Sequence, residues 1–527
     1  MAPLLTPGYI LTLDTVFVPY LRAPTGLSNG AAWQLLLHIL NFVLPSQVIE
    51  KAIFVAIPMI AAISMHQLLY YLHHALKGVK QQLSDEDWRW ATYAGGVLYV
   101  ANPFTYDRFM AGQYEVLLGY ALLPLGMRYL LEFVDRPESR TALRLGLLAT
   151  LLGVVGIPAL GELGLAAISV FIFAVLRRKA PLSKYLTGAL QAAGLFTLLN
   201  CYWLVPAILG KGTVVATLRQ FDATHTTAFA TSGDNLLIRL GNVFRLQGFW
   251  AESHRLFALP QAALPGWGTI RLCIWALVGS GAIACYRQSR RIAATFGALG
   301  LMSALLAAGL FAQQLTRIGY REPQKFAGLV TLVFAVFITF GAARLAAWAG
   351  ARSEFIRATM PAAVMAVILV FTPTMYWGFA RQLRPRHYPA GWTTVDAYLR
   401  QQSGTYNTVF LPWHEYMSFD FAGRIIANPG TRYFTNPVIV SNDPELGEIM
   451  PPKDSIVTRV GDVVGLEPNV KGDVARRLAG YDVRYVLLAK DYDYKKFVAI
   501  VRQPQFRLVR ESATMNVYEN TLWKRKQ

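Results

Sequence analysis

The stretch Lys325-Phe-Ala-Gly-Leu-Val-Thr-Leu-Val-Phe-Ala-Val-Phe-Ile-Thr-Phe-Gly-Ala-Ala-Arg344 carries no charge between its two ends. A helix needs about 20 predominantly apolar residues to cross the hydrocarbon core of a bilayer. The apolar run resumes after Arg344 and continues to Trp348. The sequence therefore predicts a membrane-spanning helix over 325–348.

The rest of the chain repeats this pattern. The 527 residues are 54% hydrophobic and 15% charged, whereas soluble domains carry about 25% charged residues. Nine more apolar runs are predicted to span the membrane, although 90–103 and 144–158 are short for a bilayer and are typical of segments that line a cavity. The predicted spans are 50–76, 90–103, 114–134, 144–158, 162–178, 185–209, 267–286, 292–315, 325–348 and 358–379. The sequence thus predicts a polytopic α-helical membrane protein with about ten spans visible.

Basic residues cluster in short segments between the predicted spans. With ten spans these segments all fall on one side, and the enrichment of Lys and Arg in cytoplasmic loops makes that side the cytoplasm. The five groups are Lys77, Lys80 and Arg89; Arg136, Arg140 and Arg144; Arg177, Arg178, Lys179 and Lys184; Arg287, Arg290 and Arg291; and Arg344, Arg352 and Arg357. The predicted outer loops are then 1–49, 104–113, 210–266 and 316–324.

The distribution of cations also bears on partners. The net charge is +19 and the pI is near 9.8, but the basic residues form no single stripe of the kind that binds nucleic acid. Membrane orientation accounts for most of the excess, and the remainder suits anionic lipid headgroups or phosphates. Membrane lipids are therefore a predicted partner and nucleic acid is not.

The N-terminal region is unusual for an outer segment. No signal peptide and no hydrophobic span precede residues 1–30, so we expect a first membrane helix to be missing, with a short translocated N-terminus as the alternative. Residues 33–45 are too short to span and suit an interfacial helix. Asp234 is predicted to cap an amphipathic helix that begins at Asn235.

The composition changes after residue 380. Strands alternating with helices are typical of an α/β domain. The β-rich runs are 408–413, 483–489, 506–510 and 515–519, and the helical patterns are 393–402, 473–480 and 493–502. The sequence thus predicts a transmembrane domain over 1–379 and an extracytoplasmic α/β domain over 380–527.

Two isolated carboxylates lie near the predicted outer boundary. Asp14 follows the apolar stretch from Pro7, and Glu162 lies near the outer end of a short helical hairpin. A carboxylate shielded from water can act as a general base or acid. On the residues alone, an N-cap or an ordinary polar loop residue is the favoured interpretation of Asp14, and capping by local backbone is the alternative for Glu162.

A second polar group is Asn102-Pro-Phe-Thr-Tyr-Asp107-Arg108-Phe-Met-Ala-Gly-Gln113, at the outer junction of two predicted spans. Pro103 ends a helix and Gly112 permits a tight return. In one interpretation Asp107 and Arg108 form ion pairs that brace the junction. In the other, Arg108 binds a phosphate through its forked guanidinium. The residues favour neither interpretation.

The third group is Arg317-Ile-Gly-Tyr-Arg321-Glu322-Pro-Gln-Lys325, at the outer end of a predicted span. Cations at an outer boundary run against the usual bias. They favour a site for a lipid-linked phosphate or diphosphate, with Glu322 holding Arg321 in place. The alternative is a set of snorkelling cations that anchor the helix.

Several motifs of known chemistry are absent from the sequence. It contains no complete Walker A motif, no CxxC or HExxH metal spacing and no convincing serine nucleophile elbow. The sequence therefore predicts no cofactor.

Three segments together resemble the GT-C superfamily of polytopic membrane glycosyltransferases, and most closely its arabinofuranosyltransferase-like and YfhO-like branches. They are Pro7-Gly-Tyr-Ile-Leu-Thr-Leu-Asp14; Asn102 to Gln113 followed by Leu117-Leu-Gly-Tyr-Ala-Leu-Leu-Pro124; and Arg321-Glu-Pro-Gln-Lys-Phe326. The resemblance covers most of the chain, through short motifs, and includes the outer α/β domain.

The resemblance implies roles for the charged residues. Asp14 would be the general base that deprotonates the acceptor, with Glu162 as a second acid. Arg321 and Lys325, assisted by Arg108, would bind the donor phosphate, and Asp107, Glu322 and Gln113 would support them. The sequence departs from the family in lacking the first helix and in having no second carboxylate beside Asp14, so a divalent metal is not predicted.

The resemblance also implies a function. We expect a hexosyl- or pentosyltransferase that moves a sugar from a polyprenyl-phosphate donor to a glycan or lipid acceptor of the cell envelope, in a prokaryotic plasma membrane. Two alternatives remain open from the residues. One is a non-catalytic transporter or flippase for lipid-linked envelope precursors, and the other is an inactive scaffold.

Overall fold

The computed structural model describes residues 2–76, 84–175, 180–211, 214–215, 223–443, 445, 455–465 and 473–524. These residues form two compact units. The terminal unit comprises Met1–Ala23, Leu37–Lys51 and Leu383–Gln527, and the helical unit comprises Pro24–Leu36 and Ala52–Gln382. Several predicted cytoplasmic cations lie outside the described residues, namely Lys77, Lys80, Arg177, Arg178 and Lys179.

The chain forms a helix at each of the ten predicted spans. Seven helices in the described part of the chain are long and apolar enough to cross a membrane. Three others are shorter or less apolar: Asp85–Val100, Ser139–Val155 and Ile157–Val175. The seven candidates are Ser46–Leu76, Tyr114–Asp135, Leu182–Ile208, Trp267–Gln288, Arg290–Ala307, Pro323–Gly350 and Glu354–Phe371. The number of crossings stays a prediction, as does the end of the span 162–178, whose residues 176–178 lie outside the described part.

Short helical elements fill the segments between these helices. The helices are Ala2–Leu5, Ala31–Asn41, Pro103–Ala111, Ala223–Ala228, Leu236–Phe244, Trp250–Ser253 and Ala312–Arg317, with 3-10 turns at Pro260–Ala263, Pro323–Phe326 and Pro373–Trp377 and a left-handed turn at Gly378–Arg381. The predicted outer loop 104–113 is thus mostly helical. The helix Leu236–Phe244 has Asn235 as its N-cap, because the Asn235 side chain accepts from the backbone N–H of Ile238; the prediction of Asp234 was wrong by one residue.

The apolar stretch predicted to span the membrane over 325–348 lies at the centre of the helical unit. Ala327–Gly350 is buried along most of its length and packs against Asp85–Val100 and Trp267–Gln288. Glycines permit the close approach of these backbones. A Cβ at Gly281 would lie 1.7 Å from the Phe337 carbonyl oxygen, and one at Gly341 would lie 2.3 Å from that of Leu277.

The terminal unit is a three-layer α/β structure. The strands of its sheet are β1 Asn407–Leu411, β4 Val438–Ile439, β5 Val483–Ala489, β6 Phe506–Arg510 and β7 Met515–Asn520, and β2 Tyr416–Phe419 and β3 Arg424–Ala427 form a separate hairpin. The sheet has the order β4-β1-β5-β7-β6, with β1 parallel to β4 and β5, and β7 antiparallel to β5 and β6. The four predicted strands are confirmed, and β2, β3 and β4 were missed.

Helices cover both faces of this sheet, because successive strand residues point to opposite sides. Phe410 packs in the core with helix Ala390–Arg400, whereas Val409 and Leu411 pack in the core on the other face. That second core is completed by the helices Ile456–Val464, Val474–Gly480 and Val498–Val501 and the 3-10 turn Tyr494–Phe497. The small α/β domain predicted after residue 380 is therefore observed.

The N-terminal residues belong to the same unit. Leu11, Val16 and Val18 are buried in the core that contains Trp392, and Tyr9 pairs with Arg386 as an antiparallel bridge. The prediction that the α/β domain is extracytoplasmic is untested.

Replacing Gly281 with alanine should destabilise the helical unit. The added Cβ would overlap the Phe337 carbonyl, and overpacking of this kind costs about 1–3 kcal/mol. The measurement is the apparent melting temperature of the purified protein. Gly279→Ala in the same helix is the matched control, because nothing lies within 4 Å of its added Cβ. Equal melting temperatures for the two variants would contradict the close packing of this helix pair.

Candidate functional site

The geometry of the helix Pro103–Ala111 follows from the residues at its ends. Asn102 caps it by accepting from the backbone N–H of Thr105, and Pro103 occupies the first turn, where its missing N–H is not needed. Gly112 ends the helix in the left-handed region at φ 73°. Every residue of the helix is buried, so Asp107 and Arg108 point into the interior of the helical unit.

Arg108 forms a fully buried ion pair with Glu322. Its Nη1 lies 2.8 Å from the Glu322 Oε2, with the two side chains 0% and 3% exposed. The guanidinium also donates to the side-chain oxygens of Gln113 and Gln324. The helix Pro103–Ala111 is thereby joined to the turn Pro323–Phe326, which begins the central helix.

Glu322 collects two further cations. The Lys325 Nζ lies 3.5 Å and the Arg321 Nη2 lies 3.7 Å from its Oε1. Three positive charges around one carboxylate leave an excess of two. Burial raises the pKa of Glu322, but the charges of Lys325, Arg108 and Arg321 outweigh it and lower the pKa to about 2. Glu322 is therefore ionised at neutral pH.

The three cations differ in exposure, and that difference separates their possible roles. The Arg321 side chain is 38% exposed and that of Lys325 is 13% exposed. Arg321 also lies over the Phe229 ring, with Cζ 4.3 Å from the ring centroid. A ligand can reach Arg321 and Lys325 without unfolding the site, whereas Arg108 is enclosed.

Glu162 lies in the same unit and is buried. The Tyr320 hydroxyl donates to its Oε1 at 2.9 Å, and the Tyr320 ring stacks on Phe326 with centroids 4.3 Å apart. The positive charges of Lys325 and Arg108 act on the Glu162 carboxyl. Glu162 is thus tied to the segment that carries the cations, through a tyrosine that the sequence analysis did not single out.

Asp107 interacts with a different carboxylate from the one that Arg108 contacts. Its carboxyl lies beside that of Glu252, and the two carboxyl groups interact. Glu252 is a residue that the sequence analysis missed, because it lies inside the long segment 210–266 with no motif around it. Gly248, four residues earlier, was the only local signal, since a glycine and a nearby acid are typical of a capped turn.

Asp14 belongs to the terminal unit. The Tyr416 hydroxyl donates to its Oδ1 at 3.0 Å, and the Leu13 carbonyl beside it accepts from the backbone N–H of Ala427. Asp14 is therefore held against the β2–β3 hairpin, and its assignment as general base stays a prediction.

Seven of the predicted site residues lie in the helical unit, and Asp14 lies in the terminal unit. Six of the seven lie around the Arg108–Glu322 pair, namely Arg108, Gln113, Glu162, Arg321, Glu322 and Lys325, whereas Asp107 lies beside Glu252. In the described part of the chain no three His, Cys, Asp or Glu side chains form a group suited to a metal ion. Whether the protein needs a metal is untested.

No protein-family model and no curated protein matches the sequence. The fold, in contrast, is similar to that of solved structures. Together with the seven apolar helices, it points to an integral membrane protein.

The similar structures are of arabinofuranosyltransferase AftD from mycobacteria, determined by cryo-EM. One has a TM-score of 0.64 at 14% sequence identity, and the alignment covers 93% of this chain and 35% of AftD. A structure of an AftD mutant has a TM-score of 0.58 at 14% identity, covering 93% and 37%. The chain spans little more than a third of the length of AftD. The similarity does not distinguish a YfhO-like branch.

Glu322→Gln should destabilise the helical unit strongly. Removing one partner of a buried ion pair costs about 3–5 kcal/mol, because the other charge stays buried and uncompensated. The measurement is the apparent melting temperature at neutral pH. Arg321→Ala is the matched control, because its exposed cation contributes little to stability.

The double variant Arg108→Met with Glu322→Leu should recover part of the loss, because neither buried charge then remains. Because the pKa of Glu322 is lowered, its contribution is present above the ordinary carboxyl pKa and is lost only as the pH falls toward 2. Its stabilising effect should therefore be constant between about pH 6 and 8. A Glu322→Gln variant as stable as the parent protein would contradict the ion pair.

Proposed function

We propose that the protein transfers a sugar from a polyprenyl-phosphate donor to a glycan or lipid acceptor of the cell envelope, at the outer face of the membrane. The observation that carries the proposal is the set of three cations around Glu322, with two charges in excess. The similarity in fold supports it, because AftD is named an arabinofuranosyltransferase.

The excess charge suits the chemistry of such a donor. A sugar joined to polyprenyl phosphate carries one negative charge on its phosphate. When the bond between the anomeric carbon and the phosphate oxygen breaks, the leaving polyprenyl phosphate carries two. Cations that are already in place stabilise this developing charge without reorganisation. A site in which three cations surround one carboxylate therefore favours the departing group over the intact donor.

The exposures assign different roles to the cations. Lys325 and Arg321 would contact the phosphate. Arg108 would act as a positioning residue, because its guanidinium is 0% exposed and already bound to Glu322. This role replaces the phosphate contact that the resemblance implied for Arg108. Glu322 and Gln113 support the cations, as the sequence analysis predicted for them.

The proton acceptor has two candidates. Asp14 is the one that the resemblance implies, and Glu162 is a predicted catalytic carboxylate that lies in the same unit as the cations. Replacing each carboxylate with the amide of the same shape distinguishes the two candidates. Asp14→Asn or Glu162→Gln should abolish transfer, for whichever residue is the base, while donor binding is retained.

Lys325→Met should lower transfer by about 100-fold, because one donor to the developing oxyanion is lost. Arg321→Ala should lower it by about 10-fold, since its charge is more exposed to solvent. The measurement uses membranes that contain the protein and a panel of radiolabelled polyprenyl-phosphate sugars, with label followed into the acceptor fraction. Lys184→Met removes an exposed lysine of another helix and should leave transfer unchanged.

The same assay separates the alternatives. Transfer that depends on Lys325 and on one of the two carboxylates supports the transferase. Phosphate-dependent donor binding without turnover, with every donor in the panel, would contradict it and favour a transporter or a scaffold for lipid-linked precursors.

A further inference from the structure

The contact between Asp107 and Glu252 has an unusual hydrogen-bond balance. Asp107 is 1% exposed, and neither of its carboxyl oxygens receives a hydrogen bond from an N–H or O–H donor of the described residues. A buried carboxylate without a donor is strongly unfavourable. Glu252, by comparison, accepts from two backbone N–H groups, those of Gly248 at 2.8 Å and Phe249 at 3.0 Å, both through Oε1.

Two ionised carboxylates accept hydrogen bonds and cannot donate them. Their contact is stable only when one of them carries a proton, which then lies between two oxygens. Asp107 is the group that lacks any other donor, so the proton belongs on Asp107 and points to Glu252. Glu252 keeps its charge, because two N–H groups of its own turn donate to its Oε1.

We propose that Asp107 and Glu252 share a single proton, and that this bond fixes the segment Gly248–Glu252 against the helix Pro103–Ala111 so that it covers the cation site. The part of the proposal that concerns donor binding rests on the proposed function. The shared proton does not.

The contacts of that segment show what the bond would position. Phe249 lies over the Arg108 guanidinium, with Cζ 4.2 Å from the ring centroid. Trp250 meets Phe229 edge to face at 5.5 Å, and Phe229 in turn lies under Arg321. The segment therefore contacts Arg108 directly and Arg321 through Phe229, and its displacement would expose Arg108 to water and remove the Trp250 contact with Phe229.

The charged groups near the pair give the direction of its pH dependence. Burial and then the neighbouring Glu252 raise the pKa of Asp107 well above its ordinary value, and Arg108 lowers it in part. Burial also raises the pKa of Glu252, which Asp107, the two backbone N–H groups and Arg108 oppose. Arg108, itself paired with Glu322, is the charged side chain that acts on both.

The contribution of Asp107 to stability depends on pH because its carboxyl binds protons differently in the folded and unfolded protein. A carboxyl with a raised pKa in the folded protein binds a proton on folding, so its contribution is fully present below about pH 4 and is lost as the pH rises through the folded value. The Asp107–Glu252 pair therefore opposes Glu322, whose contribution is lost only in acid. Above the titration the two carboxylates repel and the segment is released.

The test uses the full-length protein purified in detergent and the variant Asp107→Asn. The asparagine amide donates to Glu252 without needing a proton, so the bond persists at all pH values. Over the titration, the apparent melting temperature of the parent protein should fall by roughly 1–2 °C per pH unit, whereas that of Asp107→Asn should not show this fall. Glu115→Gln, an exposed acid of the next helix, should behave like the parent.

Glu252→Gln serves if Asp107→Asn does not fold, because its amide can donate to Asp107 and its oxygen can still accept from the backbone. A parallel pH dependence in the parent protein and in both amide variants would overturn the shared proton. Donor binding is measured separately with a polyprenyl-phosphate sugar. Binding that stays constant at alkaline pH in Asp107→Asn and falls in the parent supports the positioning role. Failure of the parent protein to bind any donor counts against the proposed function, while the melting curves still test the shared proton.

Discussion

The ion pair between Arg108 and Glu322 is the interaction on which the helical unit and its candidate site both depend. Two charges that are 0% and 3% exposed are tolerable only because each is matched. The Arg108 guanidinium also donates to the side-chain oxygens of Gln113 and Gln324. The Glu322 carboxylate also forms ion pairs with Lys325 and Arg321. The pair joins two segments more than two hundred residues apart in the chain. It also leaves the positive excess that a phosphate would neutralise.

The sequence predicted most of the framework and part of the site. Apolar length located all ten helices, and composition located four strands of the sheet, because both signals are local. The strand β4, with two residues, and the β2–β3 hairpin carry too little periodicity to be recognised. The helix Pro103–Ala111 was taken for a loop because it has too few apolar residues to show a helical period. Asn102 and Pro103 are nevertheless typical of a helix start.

The site itself shows where local patterns end. The motif around Arg321 was identified from three charges within five residues. Whether Arg108 meets a phosphate or a carboxylate depended on burial and on a partner far along the chain, so the residues favoured neither. Glu252 and Tyr320 matter only through contacts with Asp107 and Glu162, which no spacing encodes. The N-terminal strand-like segment likewise joins the α/β core through long-range packing of Leu11, Val16 and Val18.

The most direct test of the account is a cryo-EM structure of the protein with a polyprenyl monophosphate. The account predicts phosphate density within hydrogen-bond distance of Lys325 and Arg321, with Arg108 still bound to Glu322 and enclosed by Phe249. Phosphate density on Arg108 with the ion pair broken, or phosphate bound at a site away from these cations, would contradict it.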